Sequence, residues 1–286
     1  MMPPLVSTEW LAEQLSAPGG NADLLVFDTT KYLPNEPQDG LALFREARIP
    51  GARFFDIDVV ADPDATLPHM VPSAARFEKL AGALGISNAS RVVFYDQKGI
   101  ASSPRGWWLM RLFGHENAAV LDGGLPKWRR EGRSLESGTP PAPPPTVFHA
   151  DLRAMRLRGL GEIKRLTTQA SAGELILDAR AAGRFAGTAP EPRPGLPSGH
   201  MPGAANLPFT DLLAADGTML APAELRARFA AAGADGSRPL VTSCGTGVTA
   251  CVLALGAVLA GLPEPAVYDG SWTEWASRPE TPKATI

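Results

Sequence analysis

Cys244 and Cys251 are the only two thiols in the 286-residue chain, and their settings differ. Cys244 follows the apolar run Pro239-Leu-Val-Thr-Ser243 and opens Cys244-Gly-Thr-Gly-Val-Thr249, after which residues 248–260 read as an Ala/Leu/Val helix stopped by Gly261. A thiol between a strand and a helix faces loop N–H groups and the positive end of the helix dipole, both of which favour thiolate over thiol. Cys244 is therefore a candidate nucleophile. Gly245 and Gly247 let the backbone curl, so that the N–H groups of the loop through Val248 and Thr249 converge on the sulfur or on an anion attached to it. Cys251 falls inside the helix among Ala250, Val252 and Leu255, where packing is the expected role. Two cysteines are too few for a disulfide framework or a four-cysteine zinc site. A cysteine at the head of a strand–loop–helix also serves phosphatases, but those carry an arginine six positions on. Here that position is Ala250, which cannot grip phosphate.

The elements that must position this loop are written twice. Leu24-Leu-Val-Phe-Asp28 is echoed by Leu175-Ile-Leu-Asp178, and Ile49-Pro-Gly-Ala52 by Met201-Pro-Gly-Ala204. Arg91-Val-Val-Phe-Tyr95 is echoed by Pro239-Leu-Val-Thr-Ser243, and Val120-Leu-Asp-Gly-Gly124 by Val267-Tyr-Asp-Gly-Ser271. Each echo lies about 150 residues on, the period of whole domains rather than of a solenoid repeat. Short apolar runs alternate with helical patterns such as residues 73–84 and 223–232, which argues two α/β units, each a mostly parallel sheet flanked by helices. The proline-rich Gly138-Thr-Pro-Pro-Ala-Pro-Pro-Pro-Thr146 suits an extended connector. The expected organisation is a first unit over residues 1–137, a linker over 138–150 and a second unit over 151–286. Where the second copy has Ser243-Cys244, the first has Tyr95-Asp96. A carboxylate cannot act as a thiol nucleophile, so the first unit is expected to be non-catalytic and to supply one wall of a cleft.

Composition narrows the partners. With 27 Lys+Arg against 30 Asp+Glu the net charge is -3, which offers no whole-chain attraction to nucleic acid or to an anionic membrane. The longest apolar stretch, residues 250–262, is too short to span a bilayer and is broken by Gly256 and Gly261. Residues 1–15 hold Glu9 and Glu13 and no Lys or Arg, unlike a secretory or transit signal, so a cytoplasmic setting is expected.

Cys244-Gly-Thr-Gly-Val-Thr-Ala-Cys251, Gly199-His-Met-Pro-Gly-Ala204, Tyr268-Asp-Gly-Ser-Trp272 and the duplication together resemble the tandem-rhodanese sulfurtransferases over nearly the whole chain, from Val6 to Trp275. The resemblance implies two rhodanese domains, the second catalytic through a transient persulfide on Cys244. It also implies a small-molecule sulfur donor, a thiol acceptor such as thioredoxin, or cyanide, and no metal or organic cofactor. Members that favour thiosulfate resemble one another in basic residues just after the cysteine; Gly245 and Thr246 are neutral, so a monoanionic 2-keto-3-thiol acid, 3-mercaptopyruvate, is the expected donor. Arg184-Phe-Ala-Gly-Thr-Ala-Pro-Glu-Pro-Arg193 resembles the family segment whose two arginines grip the donor's carboxylate and ketone, which assigns that role to Arg184 and Arg193.

Phe54-Phe-Asp-Ile-Asp58 and Pro68-His69-Met-Val-Pro72 match first-unit segments whose Asp and His align with a loop hydroxyl. That implies a relay of Thr246, His69 and Asp58. The family's usual residue at this loop position is Ser; Thr246 keeps the hydroxyl with fewer rotamers. Two alternatives stay open at this level: a thiosulfate-using enzyme of the same fold, and a persulfide carrier serving a protein partner. His200, in its Pro-Gly turn, is expected to be structural, and His115 and His149 to be surface residues.

Overall fold

The structure, a computed structural model, describes residues 2–17, 21–168 and 173–286; Met1 and the short segments 18–20 and 169–172 lie outside the described residues. The first unit holds β1 (Leu5–Val6), β2 (Leu24–Asp28), β3 (Arg53–Phe54), β4 (Arg91–Tyr95) and β5 (Ala118–Leu121) in one sheet of order β1-β5-β4-β2-β3. The second repeats it with β6 (Leu157–Arg158), β7 (Leu175–Asp178), β8 (Ala205–Asn206), β9 (Leu240–Ser243) and β10 (Ala266–Tyr268) in the order β6-β10-β9-β7-β8. Every paired strand is parallel. A parallel sheet must be covered on both faces, and β5, β7, β9 and β10 are buried along their whole length, which is why they begin as apolar runs, with Asp178, Thr242 and Ser243 the buried polar residues at the ends of β7 and β9.

Register ties the halves to one template. Asp28 pairs with Tyr95 at the end of β2 and β4, and Asp178 with Ser243 at the end of β7 and β9. The loops after β4 and β9 therefore leave equivalent positions at the carboxyl edge of their sheets, where α/β sheets place their ligands. The helices that follow, Ser103–Leu112 and Ala250–Leu259, pack on each other across the interface between the units. This explains the second helix: Ala250 to Ala257 are all buried, with no polar face, because one side meets its own sheet and the other meets the first unit. The helix begins at Ala250, two residues later than the sequence pattern gives, since residues 244–249 are spent on the loop. Residues 138–149 form no regular element; the Gly138 N–H donates to Arg45 O at 2.7 Å, and Thr146 is anchored through its N–H to Gly82 O at 2.9 Å and its hydroxyl to Ile86 O at 2.7 Å. No helix among the described residues is long and apolar enough to cross a membrane.

Candidate active site

Cys244 follows β9 directly and is 2% exposed, at the floor of a cavity of about 500 Å³ walled by both units. Its loop is held from behind by the turn after β10. Ser271 Oγ accepts the Cys244 N–H at 3.1 Å and donates to Tyr268 O at 2.8 Å, while the N–H groups of Trp272 and Thr273 donate to Cys244 O and Gly245 O. Ser271 adopts φ +49, a left-handed conformation costly for a residue with a Cβ, and its hydroxyl contact is the compensation. Gly247 sits at φ +77, and a Cβ there would lie 2.8 Å from Asp269 O, so both backbone and space require glycine. The N–H groups of Gly245 through Thr249 donate to no oxygen among the described residues. They form an open set of donors beside the sulfur.

Across the cavity the first unit contributes His69, 7% exposed and at φ +63. Its Nδ1 lies 2.9 Å from Thr246 Oγ1 and its Nε2 3.1 Å from Asp58 Oδ1. This pattern assigns the ring proton to Nε2, donated to Asp58, and leaves Nδ1 to accept from the Thr246 hydroxyl. Burial lowers the His69 pKa below the ordinary histidine value, outweighing the neighbouring carboxylate, so the ring is neutral at pH 7. The His69 hydrogen bond and the Lys31 ammonium beside it hold Asp58 well below the usual carboxylate range. Thr246, 177 residues from His69, thus meets His69 and Asp58 in one hydrogen-bonded line.

The two sequence-assigned arginines also line the cavity but stand differently. Arg184 is held as a fork by Glu191, Nε to Oε1 at 3.1 Å and Nη2 to Oε2 at 2.5 Å. Arg193 makes no ion pair among the described residues; burial lowers its pKa, and the nearby Cys244 sulfur opposes that shift. One guanidinium is pre-oriented and the other is free to take an anion.

Several residues of the site escaped sequence reasoning. Arg180 bridges Asp178 and Glu191, donates to Gly199 O at 2.7 Å and lies over the Trp272 ring at 4.5 Å, so it fixes the carboxylate that fixes Arg184. Lys31 and Arg105 likewise serve partners brought close only by folding. A charged residue inside an apolar helix, as Arg105 is in Ser103-Pro-Arg-Gly-Trp-Trp108, was the one available signal, since a buried arginine must find an acceptor. His115 corrects an expectation: it is buried, 4% exposed, edge-on to Phe148, because the chain after Pro145 returns over it. His149 is exposed. His200 is buried against Phe185, Nδ1 2.9 Å from Phe185 O. Cys251 is enclosed in its helix, bonded to Gly247 O at 3.2 Å, and burial pushes its thiol up to about 12.

Two parallel five-stranded α/β units with a single thiol at the carboxyl edge of the second define the class. The rhodanese-like domain family matches residues 7–131 and 162–278, and the chain belongs to it, carrying two copies. It is similar to human 3-mercaptopyruvate sulfurtransferase, 45% identical over 280 residues covering 96% of this chain and 93% of that protein. It is also similar to bovine (Bos taurus) thiosulfate sulfurtransferase, 43% identical over 282 residues covering 97% and 94%. Among solved structures, SseA from Escherichia coli, described as a 3-mercaptopyruvate sulfotransferase, superposes with a TM-score of 0.83 at 32% identity over 95% of this chain and 99% of that one.

Proposed function

We propose that this chain is a sulfurtransferase that takes sulfane sulfur from 3-mercaptopyruvate onto Cys244 and passes it to a thiol, thioredoxin or cyanide. The Cys244 thiolate attacks the donor sulfur; an S–S bond forms, the C–S bond breaks, and its electron pair leaves on carbon as pyruvate enolate. The donor thiol proton passes to His69 through the Thr246 hydroxyl and returns to the enolate carbon, Asp58 meanwhile stabilising the imidazolium. Arg184 and Arg193 bind the donor carboxylate and ketone, and the N–H groups of Gly245, Gly247, Val248 and Thr249 stabilise the persulfide sulfur. An acceptor thiolate then attacks the outer sulfur and restores Cys244.

The observation that carries this reading is the meeting of a cysteine, a hydroxyl, a neutral imidazole and two guanidinium groups in one cavity, with the Asp58 carboxylate behind the imidazole. In this reading the working boundary falls at residues 138–150, between a supporting first unit and a catalytic second one. Two free cysteines suit the reducing cytoplasm, which we take as the setting. Similarity to a thiosulfate sulfurtransferase keeps that donor as the second reading. One experiment separates them: equal, saturating 3-mercaptopyruvate and thiosulfate compete for the enzyme, with pyruvate and sulfite quantified and the persulfide seen by intact mass. Predominant pyruvate supports the first reading; predominant sulfite overturns it.

A further inference from the structure

Arg105 is a cation sealed in the interface, and the cycle above gives it no role. It stands on helix Ser103–Leu112 of the first unit with its side chain 1% exposed, 4.8 Å over the Trp108 ring. Nη2 donates to His69 O at 2.6 Å and to Asp269 Oδ1 at 2.8 Å, and Nη1 to Gly247 O at 3.3 Å. Asp269 Oδ2 in turn accepts from Val71 N at 2.6 Å. One buried ion pair therefore touches both sides of the site: His69 and Val71 on the first unit, Gly247 and Asp269 on the second.

Stability is a weak reason for such a pair, since well-packed apolar residues often replace a buried ion pair without loss. An apolar pair, however, could not hold two carbonyl groups in register. We propose that Arg105 and Asp269 are positioning residues that hold His69 against Thr246 across the interface. His69 is kept in a left-handed backbone conformation with its carbonyl on Arg105, and Thr246 is the neighbour of Gly247, whose carbonyl is on the same guanidinium. The 2.9 Å contact between His69 and Thr246 belongs to two separate units, and this clamp sets their spacing. The inference rests on the relay reading above, in which that contact moves the proton.

The test compares Arg105→Met, Arg105→Met with Asp269→Asn, Arg105→Lys and His69→Ala, and combines His69→Ala with the Arg105/Asp269 pair of changes. Arg105→Met strands a buried carboxylate and lowers Tm; adding Asp269→Asn removes that charge and restores much of Tm. If the clamp positions His69, kcat with 3-mercaptopyruvate stays about 10- to 100-fold down in the doubly changed enzyme, the scale of a 1 Å misplacement. KM stays within about 3-fold, and His69→Ala then causes no further loss. Arg105→Lys, which keeps the charge but reaches fewer acceptors, falls between, and it carries the test if Arg105→Met does not fold. A doubly changed enzyme with wild-type kcat, or losses that multiply with His69→Ala, overturns the clamp while leaving the relay standing. Unaltered kcat in His69→Ala overturns the relay, and the clamp with it.

Discussion

The loops after β4 and β9 leave matched strand ends, turn at Gly99 (φ +107) and Gly247 (φ +77), and enter matched helices, yet they have opposite contents. In the first unit Asp96, fully buried, fills its own loop: Oδ2 accepts from the N–H groups of Ala101, Ser102 and Ser103 at 2.8–2.9 Å and from Ser103 Oγ at 2.8 Å. In the second the corresponding position is Cys244, and the loop N–H groups remain open beside a cavity. The turn behind shows the same contrast. Gly124 at φ +52 lies so close to Asp96 O and Gly99 O that no Cβ fits, whereas Ser271 at φ +49 carries a hydroxyl that holds the Cys244 N–H. The template is an anion cradle. One copy satisfies it internally, and the other leaves its donors open beside the cavity.

The largest expected effect separates the two loops outright. Cys244→Ser abolishes turnover and the 32 Da persulfide adduct, one sulfur atom, in intact-mass spectra, while Cys251→Ser retains most activity because its thiol is buried and protonated. Comparable loss in both would sink the assignment. Adding Asp96→Cys to Cys244→Ser restores no turnover, since the first-unit loop has a thiol then but no paired arginines.

Stability reverses the ranking. Asp96→Ala strands buried donors and lowers unfolding free energy by at least about 3 kcal/mol, whereas Cys244→Ala costs less than about half of that. Equal midpoint shifts in urea would show that Asp96 is not what fills the first loop.

Next come the arginines. Arg193→Ala and Arg184→Ala each reduce kcat/KM for 3-mercaptopyruvate about 10- to 150-fold, for charge-assisted hydrogen bonds worth about 1.5–3 kcal/mol. Donor choice should move less. Gly245→Arg with Thr246→Lys raises the thiosulfate to mercaptopyruvate ratio of kcat/KM by about 10-fold, as cations favour a dianion. The change also removes the Thr246 contact to His69, and a Cβ at 245 would come 3.2 Å from Arg184 Nη2. A folded variant with an unmoved ratio would place selectivity outside the loop.

The smallest effect is in pH. His69 has a folded pKa below its unfolded value of 6.5, so its neutral form, and the stability tied to it, is fully present above that pH. Both are lost as pH falls through the lowered value. Turnover should show an acid limb below 6.5 that disappears in His69→Ala; an unchanged limb in that variant would assign it to another group.

The duplication, the parallel α/β class, the central strands and the Cys244 loop were legible because they are local: apolar runs, a glycine pair and a helix stop carry their own signals. The two-residue strands β1, β3, β6 and β8 carry no pattern and exist only through their neighbours. Arg184 and Arg193 could be assigned through resemblance, but the difference between them could not, because it depends on Glu191 being fixed by Arg180.

By itself the sequence determined which groups are available: one thiol at a strand end, a carboxylate in its place in the other copy, and a histidine and a hydroxyl 177 residues apart. The tertiary structure alone decided that these last two meet, that Arg105 is sealed between the two units, and that residues 250–257 of the helix have no solvent face. The physical reason is range. Propensity, capping and hydrophobic period act over a few residues, whereas hydrogen bonds between two domains and the burial of a charge depend on which surfaces the folded units press together.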